Sequence, residues 1–246
     1  MMEGGTRSRA RAEKVVEFFG EGSTYMDAPY VWEARRAALE VLGVDPSEKR
    51  ILDVGCGDGS ISLPWAGRAA SITLVDLSPS MLRRAREQLA DAPKENVEIL
   101  EGDFTKIDVG KGYDLVLCLG VLAHMESLER AVSQLASFLR RGGELVIQLT
   151  DAERALGNLL YRRGQRAARR THGYEILRLG TTAVIAACER EKLMFERLHR
   201  FSFLLPGMGR LPGRLVRAIE LASVRIRAFQ PFVTDALILF RKGNGA

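Results

Sequence analysis

Little in this sequence points to disulfide, metal or membrane-spanning chemistry. Its 246 residues contain three cysteines, Cys56, Cys118 and Cys188, odd in number and far apart. That pattern argues against a disulfide framework or a zinc cluster and suits a reducing cytoplasm. No spacing of metal ligands is present, so no metal is expected. No apolar run approaches the roughly 18 residues that would span a bilayer. The opening stretch, "MMEGGTRSRARAEK", lacks the apolar core of a signal peptide and reads as a frayed lead, so a cytoplasmic location is expected. There is no internal repeat and no low-complexity tract.

What is present is an ordinary globular composition, 46% hydrophobic and 27% charged. The length allows one large domain, or one domain with a small cap. The net charge of +5 hides an asymmetry: residues 1–150 carry 18 basic against 23 acidic side chains, and residues 151–246 carry 18 against 8. The first part is a mildly acidic scaffold. The second is a basic region that could face an anionic partner.

Between residues 50 and 150, short apolar runs alternate with helical patterns. The runs are "RILDV", "SITLVDL", "NVEIL", "YDLVLCLG" and "GELVIQL". Each is apolar on both faces, as buried parallel strands are. Ser78 and Pro79 open a helix through "SMLRRAREQLA", and "SLERAVSQLASFLR" reads as a helix that stops at Gly142–Gly143. Strand–helix alternation implies a doubly wound α/β sheet. Helices are expected before it in "AEKVVEFF" and in "YVWEARRAALEVLG", the latter ended by Gly43. After it come a basic helical stretch, "DAERALGNLLYRRGQRAARR", a helix in "TTAVIAACEREK" and a strand in "LMFERLHRFSFLLP". An amphipathic helix in "GRLVRAIELASVRIRAF" and a final strand in "FVTDALILFRK" complete the chain.

The densest signal is "ILDVGCGDGS", where a strand runs into glycines at 55, 57 and 59. Glycine lets the backbone approach a ligand and adopt dihedrals closed to other residues. A dinucleotide fingerprint would need a third small residue at 60 in the pattern G-x-G-x-x-G; here the pattern is G-x-G-x-G. The next strand ends in Asp76, about 20 residues on, which suits a ribose diol.

With these residues the chain resembles the class I S-adenosylmethionine-dependent methyltransferases. "LDVGCGDGS", "VDLSPSML", "LEGDF", "YDLVLCLGVLAHM" and "LRRGGELVI" match that family's motifs in order. "GSISLPWA" with "CLGVLAHM" is similar to the magnesium-protoporphyrin carboxyl methyltransferases, a likeness that the C-terminal region does not share. The resemblance implies a Rossmann-like, doubly wound, mostly parallel seven-stranded sheet with the last strand antiparallel. N-terminal helices (1–49) would pack on a cofactor-binding core (50–150). Residues 151–246 would add acceptor-covering basic helices and the last two strands, all in one continuous domain.

The same resemblance implies roles by position, with S-adenosylmethionine as cofactor. Asp53, Gly55, Gly57 and Gly59 would hold its methionine and ribose part. Asp76 would take the ribose hydroxyls, with Leu77 beside the adenine. Asp103 would accept from the adenine amine, and Phe104 would offer its backbone N–H or ring edge. Cys118 and Leu119 would lie beneath the sulfonium. His124 is the candidate general base, which makes O-methylation the expected reaction. Tyr25, Tyr30, His172 and Tyr174 are candidate substrate contacts, although aromatic residues at such positions also serve as core. Arg36 could meet the methionine carboxylate or simply occupy a solvated helix face.

No Asn/Asp-Pro-Pro-aromatic run follows the fourth strand, which sets aside methylation of exocyclic base amines. Cys118 is followed by Leu119 rather than set for nucleophilic attack, which sets aside base C5 methylation. The expected acceptor is a small molecule such as a sugar, quinone, tetrapyrrole or specialised metabolite. RNA or protein methylation, or cofactor binding without turnover, are the alternatives. Arg162, Arg163, Arg166, Arg169 and Arg170 crowd the basic stretch. In the late amphipathic helix, Leu215, Ile219, Ala222 and Ile226 share a face that would pack on the sheet, with Arg214, Arg217, Arg225 and Arg227 off it. Two readings of this region stand: arginines in water on a cap, or contact with an anionic or lipid-linked acceptor or a membrane surface. Nucleic acid is not expected, because no aromatic residues interleave the arginines.

Overall fold

The apolar runs pair into one sheet. A computed structural model describes residues 13–18, 29–91, 94–154, 176–203 and 211–243. Residues 13–18 are helical, and α1 follows at Pro29–Leu42. Then come β1 (Arg50–Val54), β2 (Ser71–Asp76), α2 (Pro79–Asp91), β3 (Val97–Glu101) and β4 (Tyr113–Leu119). The chain continues through α3 (Leu128–Phe138), β5 (Leu139–Thr150), α4 (Thr181–Arg190), β6 (Leu193–Phe201), α5 (Gly213–Arg225) and β7 (Asp235–Lys242). The strand order is β3-β2-β1-β4-β5-β7-β6, with β7 antiparallel to both of its neighbours. This is the doubly wound sheet expected from the alternating pattern.

Local chemistry explains the helix ends. Ser127 Oγ accepts from Arg130 N–H at 3.3 Å and opens α3. Pro79 starts α2, where a missing N–H costs nothing, and Ser78 Oγ accepts from Met81 N–H at 3.4 Å. Gly43, at φ +86°, closes α1. The expected stop of α3 at Gly142–Gly143 is corrected: the helix ends at Phe138, and the glycines lie inside β5. There Gly143 passes so close to Tyr113 that a Cβ would meet the Tyr113 carbonyl oxygen at 2.8 Å.

Alternating residues of each strand feed two cores. Leu52, Val54, Val116 and Cys118 point to the α3 and α4 side. Ile51, Leu115, Leu117 and Leu119 point to α1, α2 and α5, where Ala34, Ala37 and Ala38 let α1 lie close. Both faces of the central strands are therefore dry, which is why they read as continuous apolar runs. Among the described residues no helix is long and apolar enough to cross a membrane.

The orientation of α5 differs from expectation. Val216, Glu220, Ser223 and Val224 face inward, while Leu215 and Ile226 are 45% and 49% exposed. Arg217 and Arg225 pair with Glu33 and Glu40 of α1, and Glu220 accepts from Phe203 N–H. These contacts fix the helix in a rotation that apolar periodicity alone does not reveal. Val224→Ala should therefore cost about 1.5–3 kcal/mol of stability. Leu215→Ala should stay within about 0.5 kcal/mol. Urea unfolding of the two variants tests this rotation, since packing of Leu215 against the sheet would reverse the order.

Candidate functional site

The carboxyl end of β1 is tied to that of β2. Gly55 and Cys56 N–H both donate to the Val75 carbonyl, at 2.7 and 3.1 Å. Gly57 N–H donates to Asp76 Oδ2 at 2.8 Å, and Ser78 N–H to Asp76 Oδ1 at 2.8 Å. Gly55, Gly57 and Gly59 all take positive φ, at 68°, 57° and 77°. At Gly55 a side chain would also collide with Val121. At Gly57 a Cβ would meet nothing within 4 Å, so the turn there borders open space. A backbone loop with such a free flank, next to an acid at a strand end, is suited to cradling a ribose-bearing ligand.

Beneath the turn, Asp53 is buried and accepts from Ser62 Oγ at 2.6 Å. Burial raises its carboxyl to about 7, with Asp76 adding to the rise and Ser62 and Arg35 opposing it. Asp76 is also raised by burial, against the hydrogen bonds from Ser78 and Gly57. Leu77 follows it, half-buried.

On the far side of β2, burial pushes Asp103 upward, but Thr105 and Lys106 together hold it below the ordinary carboxylate range. Its Oδ1 accepts from Thr105 Oγ1 at 2.7 Å, and its Oδ2 lies 2.9 Å from Lys106 Nζ. The Phe104 ring packs edge-on against Phe138 at 6.5 Å, in the core. Of its two expected contributions, the backbone N–H is the one left.

Cys118 is fully buried between Val54 and Ile147, and burial pushes its thiol far up. It is a small core residue. Leu119 points to the opposite face, and Gly120 N–H then donates to the Gln148 carbonyl at 3.2 Å. The chain turns through Leu122–His124, with His124 half-buried at its end. Leu177 N–H donates to the Ala123 carbonyl at 2.8 Å, so residues approaching α4 run beside this turn. Tyr30 lies half-buried in the first turn of α1, and Arg36 reaches the Ser60 carbonyl at 3.3 Å. Tyr25, His172 and Tyr174, and the arginines at 162, 163, 166, 169 and 170, lie outside the described residues.

One cluster escaped sequence reasoning. Asp235, opening β7, accepts from Gln148 Nε2 at 2.9 Å and from Thr150 Oγ1 at 3.0 Å. Burial raises its carboxyl, and Arg35 opposes the rise. Arg35 is itself buried, 5.0 Å from the Trp32 ring centroid, and acts on Asp53 as well. From α5, Glu220 is 2% exposed and lifted to about 7 by burial, with Asp235 adding to the rise. Gln148 Oε1 and Glu220 Oε1 are buried with no hydrogen-bond partner among the described residues. The available signal was a charged residue on an apolar face, Arg35 within "EARRAAL" and Glu220 within "RAIELAS". Among the described residues no group of three or more His, Cys, Asp or Glu side chains could hold a metal ion.

Residues 51–143 match the family model described as a methyltransferase domain. Over 113 residues the chain is 33% identical to a ubiquinone biosynthesis O-methyltransferase of Rickettsia conorii, covering 45% of this chain and 38% of that one. It is also 33% identical over 113 residues to a demethylmenaquinone methyltransferase of Tropheryma whipplei, covering 46% of each. The chain thus spans less than half the length of these two relatives. The solved magnesium protoporphyrin IX methyltransferase of Synechocystis PCC 6803 has the same fold, with TM-score 0.61 and 18% identity over 94% of both chains.

Glu220 generates a test of this geometry. The folded protein holds its proton up to about pH 7, while the unfolded chain releases it near 4.5. Between those values the unfolded state binds fewer protons, so this group's contribution to stability is full below pH 4.5 and is lost as pH rises through 7. Relative to Glu220→Gln, the wild type should lose roughly 1–3 kcal/mol between about pH 4.5 and 8. Urea unfolding of both proteins across that range measures it; parallel curves would place Glu220 in water.

Proposed function

We propose that this chain, which carries a class I S-adenosylmethionine-dependent methyltransferase domain, transfers a methyl group from S-adenosylmethionine to a hydroxyl oxygen of a small-molecule acceptor. The observation that carries the cofactor is the Gly57–Asp76 hydrogen bond beside the open flank of Gly57. Asp76 keeps lone pairs on both oxygens for the ribose hydroxyls, and Leu77 borders the adenine. Asp103 accepts from the adenine amine, with Phe104 N–H beside it. Gly55, Gly57 and Gly59 let the backbone approach the ribose and methionine, and Asp53 faces the methionine ammonium. Leu119 and Cys118 form the floor at the end of β4.

The cofactor, when bound, supplies an activated sulfonium methyl. The protein's part is alignment and proton management. His124 ends the turn that follows β4 and takes the acceptor's hydroxyl proton as the new C–O bond forms and the C–S bond breaks. Tyr30 borders the acceptor. The names of the two relatives favour the quinone class within the small molecules considered.

Calorimetry should show S-adenosylmethionine binding in the micromolar range, about −8 kcal/mol. Asp76→Ala should weaken it by roughly 1–3 kcal/mol. Binding of NAD in its place would refute the cofactor. Because Asp53 is raised to about 7, binding of the methionine ammonium should release a proton, and affinity should fall by up to about tenfold per pH unit below 7. Asp53→Asn should be weaker and flat with pH.

His124→Ala should lower turnover about 10²–10⁴-fold while cofactor affinity changes by no more than a factor of about 3. Methyl transfer from radiolabelled cofactor to a panel of quinols and catechols reads this out. A variant that keeps over half of wild-type turnover removes the base and the preference for oxygen.

A further inference from the structure

We infer that the outward face of α5 is a docking surface for an anionic lipid membrane. Leu215 and Ile226 are about half exposed and lie on one row of the helix, with Ile219 and Ala222 partly covered between them. Leu211 before the helix and Phe232 after it are also exposed, at 39% and 38%. A single exposed leucine needs no explanation, but an ordered apolar row does.

Arg214, Arg217, Arg225 and Arg227 flank this row, all exposed. Arg217 and Arg225 are paired with Glu33 and Glu40. The net positive charge of the face therefore comes from Arg214 and Arg227, within a region carrying 18 basic against 8 acidic residues. A lipid interface satisfies both features at once. The aliphatic row enters the acyl boundary while guanidinium groups reach anionic phosphates. A polyanion such as RNA would use the arginines and leave the row in water.

The rotation of the helix makes this possible. With Glu220 turned inward and Val216 and Val224 filling the core, the apolar stripe that could have packed on the sheet is left outside. Glu220 meets Phe203 N–H, near the start of β7 and the carboxyl edge of the sheet. Docking through this face is independent of the methyl-transfer chemistry.

The test is co-sedimentation of the full chain with vesicles, either phosphatidylcholine alone or with about 30% phosphatidylglycerol. Retention is expected on the anionic vesicles and should be at least tenfold weaker on neutral ones or in about 0.5 M salt. Two double variants, Leu215→Ser with Ile226→Ser and Arg214→Glu with Arg227→Glu, should each weaken retention about tenfold. Both should keep wild-type melting temperature and S-adenosylmethionine affinity, which separates this outcome from misfolding and from failure of the cofactor assignment. Equal retention on the two vesicle types would overturn the proposal. So would loss in the arginine variant alone, with poly(U) RNA competing for the protein, which would make the face a polyanion site.

Discussion

The hydrogen bond from Gly57 N–H to the Asp76 carboxylate ties two parallel strands at their carboxyl ends. Parallel strands have no hairpin to fix where each one stops. Here Val75 fixes it by accepting from two successive N–H groups of the first turn, and Asp76 by accepting from a third. Everything in the candidate site is measured from this joint. Asp53 lies under it, Val121 from the neighbouring strand end closes on Gly55, and α2 leaves from Ser78, whose N–H is held by the same carboxylate.

A second constraint is electrostatic. Three carboxylates, Asp53, Asp235 and Glu220, lie under α1 and α5, and the one buried cation described among them is Arg35. Burial raises the carboxyls of all three acids, because the charged form loses its water there. A buried ionic cluster is a poor way to gain stability.

Most of the sheet is legible in the sequence, because strands buried on both faces leave continuous apolar runs. The glycine turn and its acid were legible for a related reason: few ligands demand that combination at that distance. Two things were not legible. The rotation of α5 was hidden because its apolar row and its buried row are different rows, and the buried one includes Glu220 and Ser223. The Asp235 cluster was hidden because its members are up to 200 residues apart (Arg35 to Asp235) and meet only when β5 pairs with β7 and α1 and α5 pack on the sheet. Phe104 shows the same limit on a smaller scale, since position suggested a ring edge for the ligand and packing gave that ring to Phe138.

The strand order also has a temporal side. Among the described residues β6 pairs with β7 and with no other strand, and β7 lies between it and β5. During synthesis the segment from Leu193 to Phe201 therefore has no edge to join until the residues of β7 have left the ribosome. The edge of β5 stays open for the same interval. The first five strands can assemble in chain order, but the last two join in one late step that inserts β7 between β5 and β6. Such a step exposes two unpaired edges at once, which makes this interval the one in which a nascent chain would most need a chaperone.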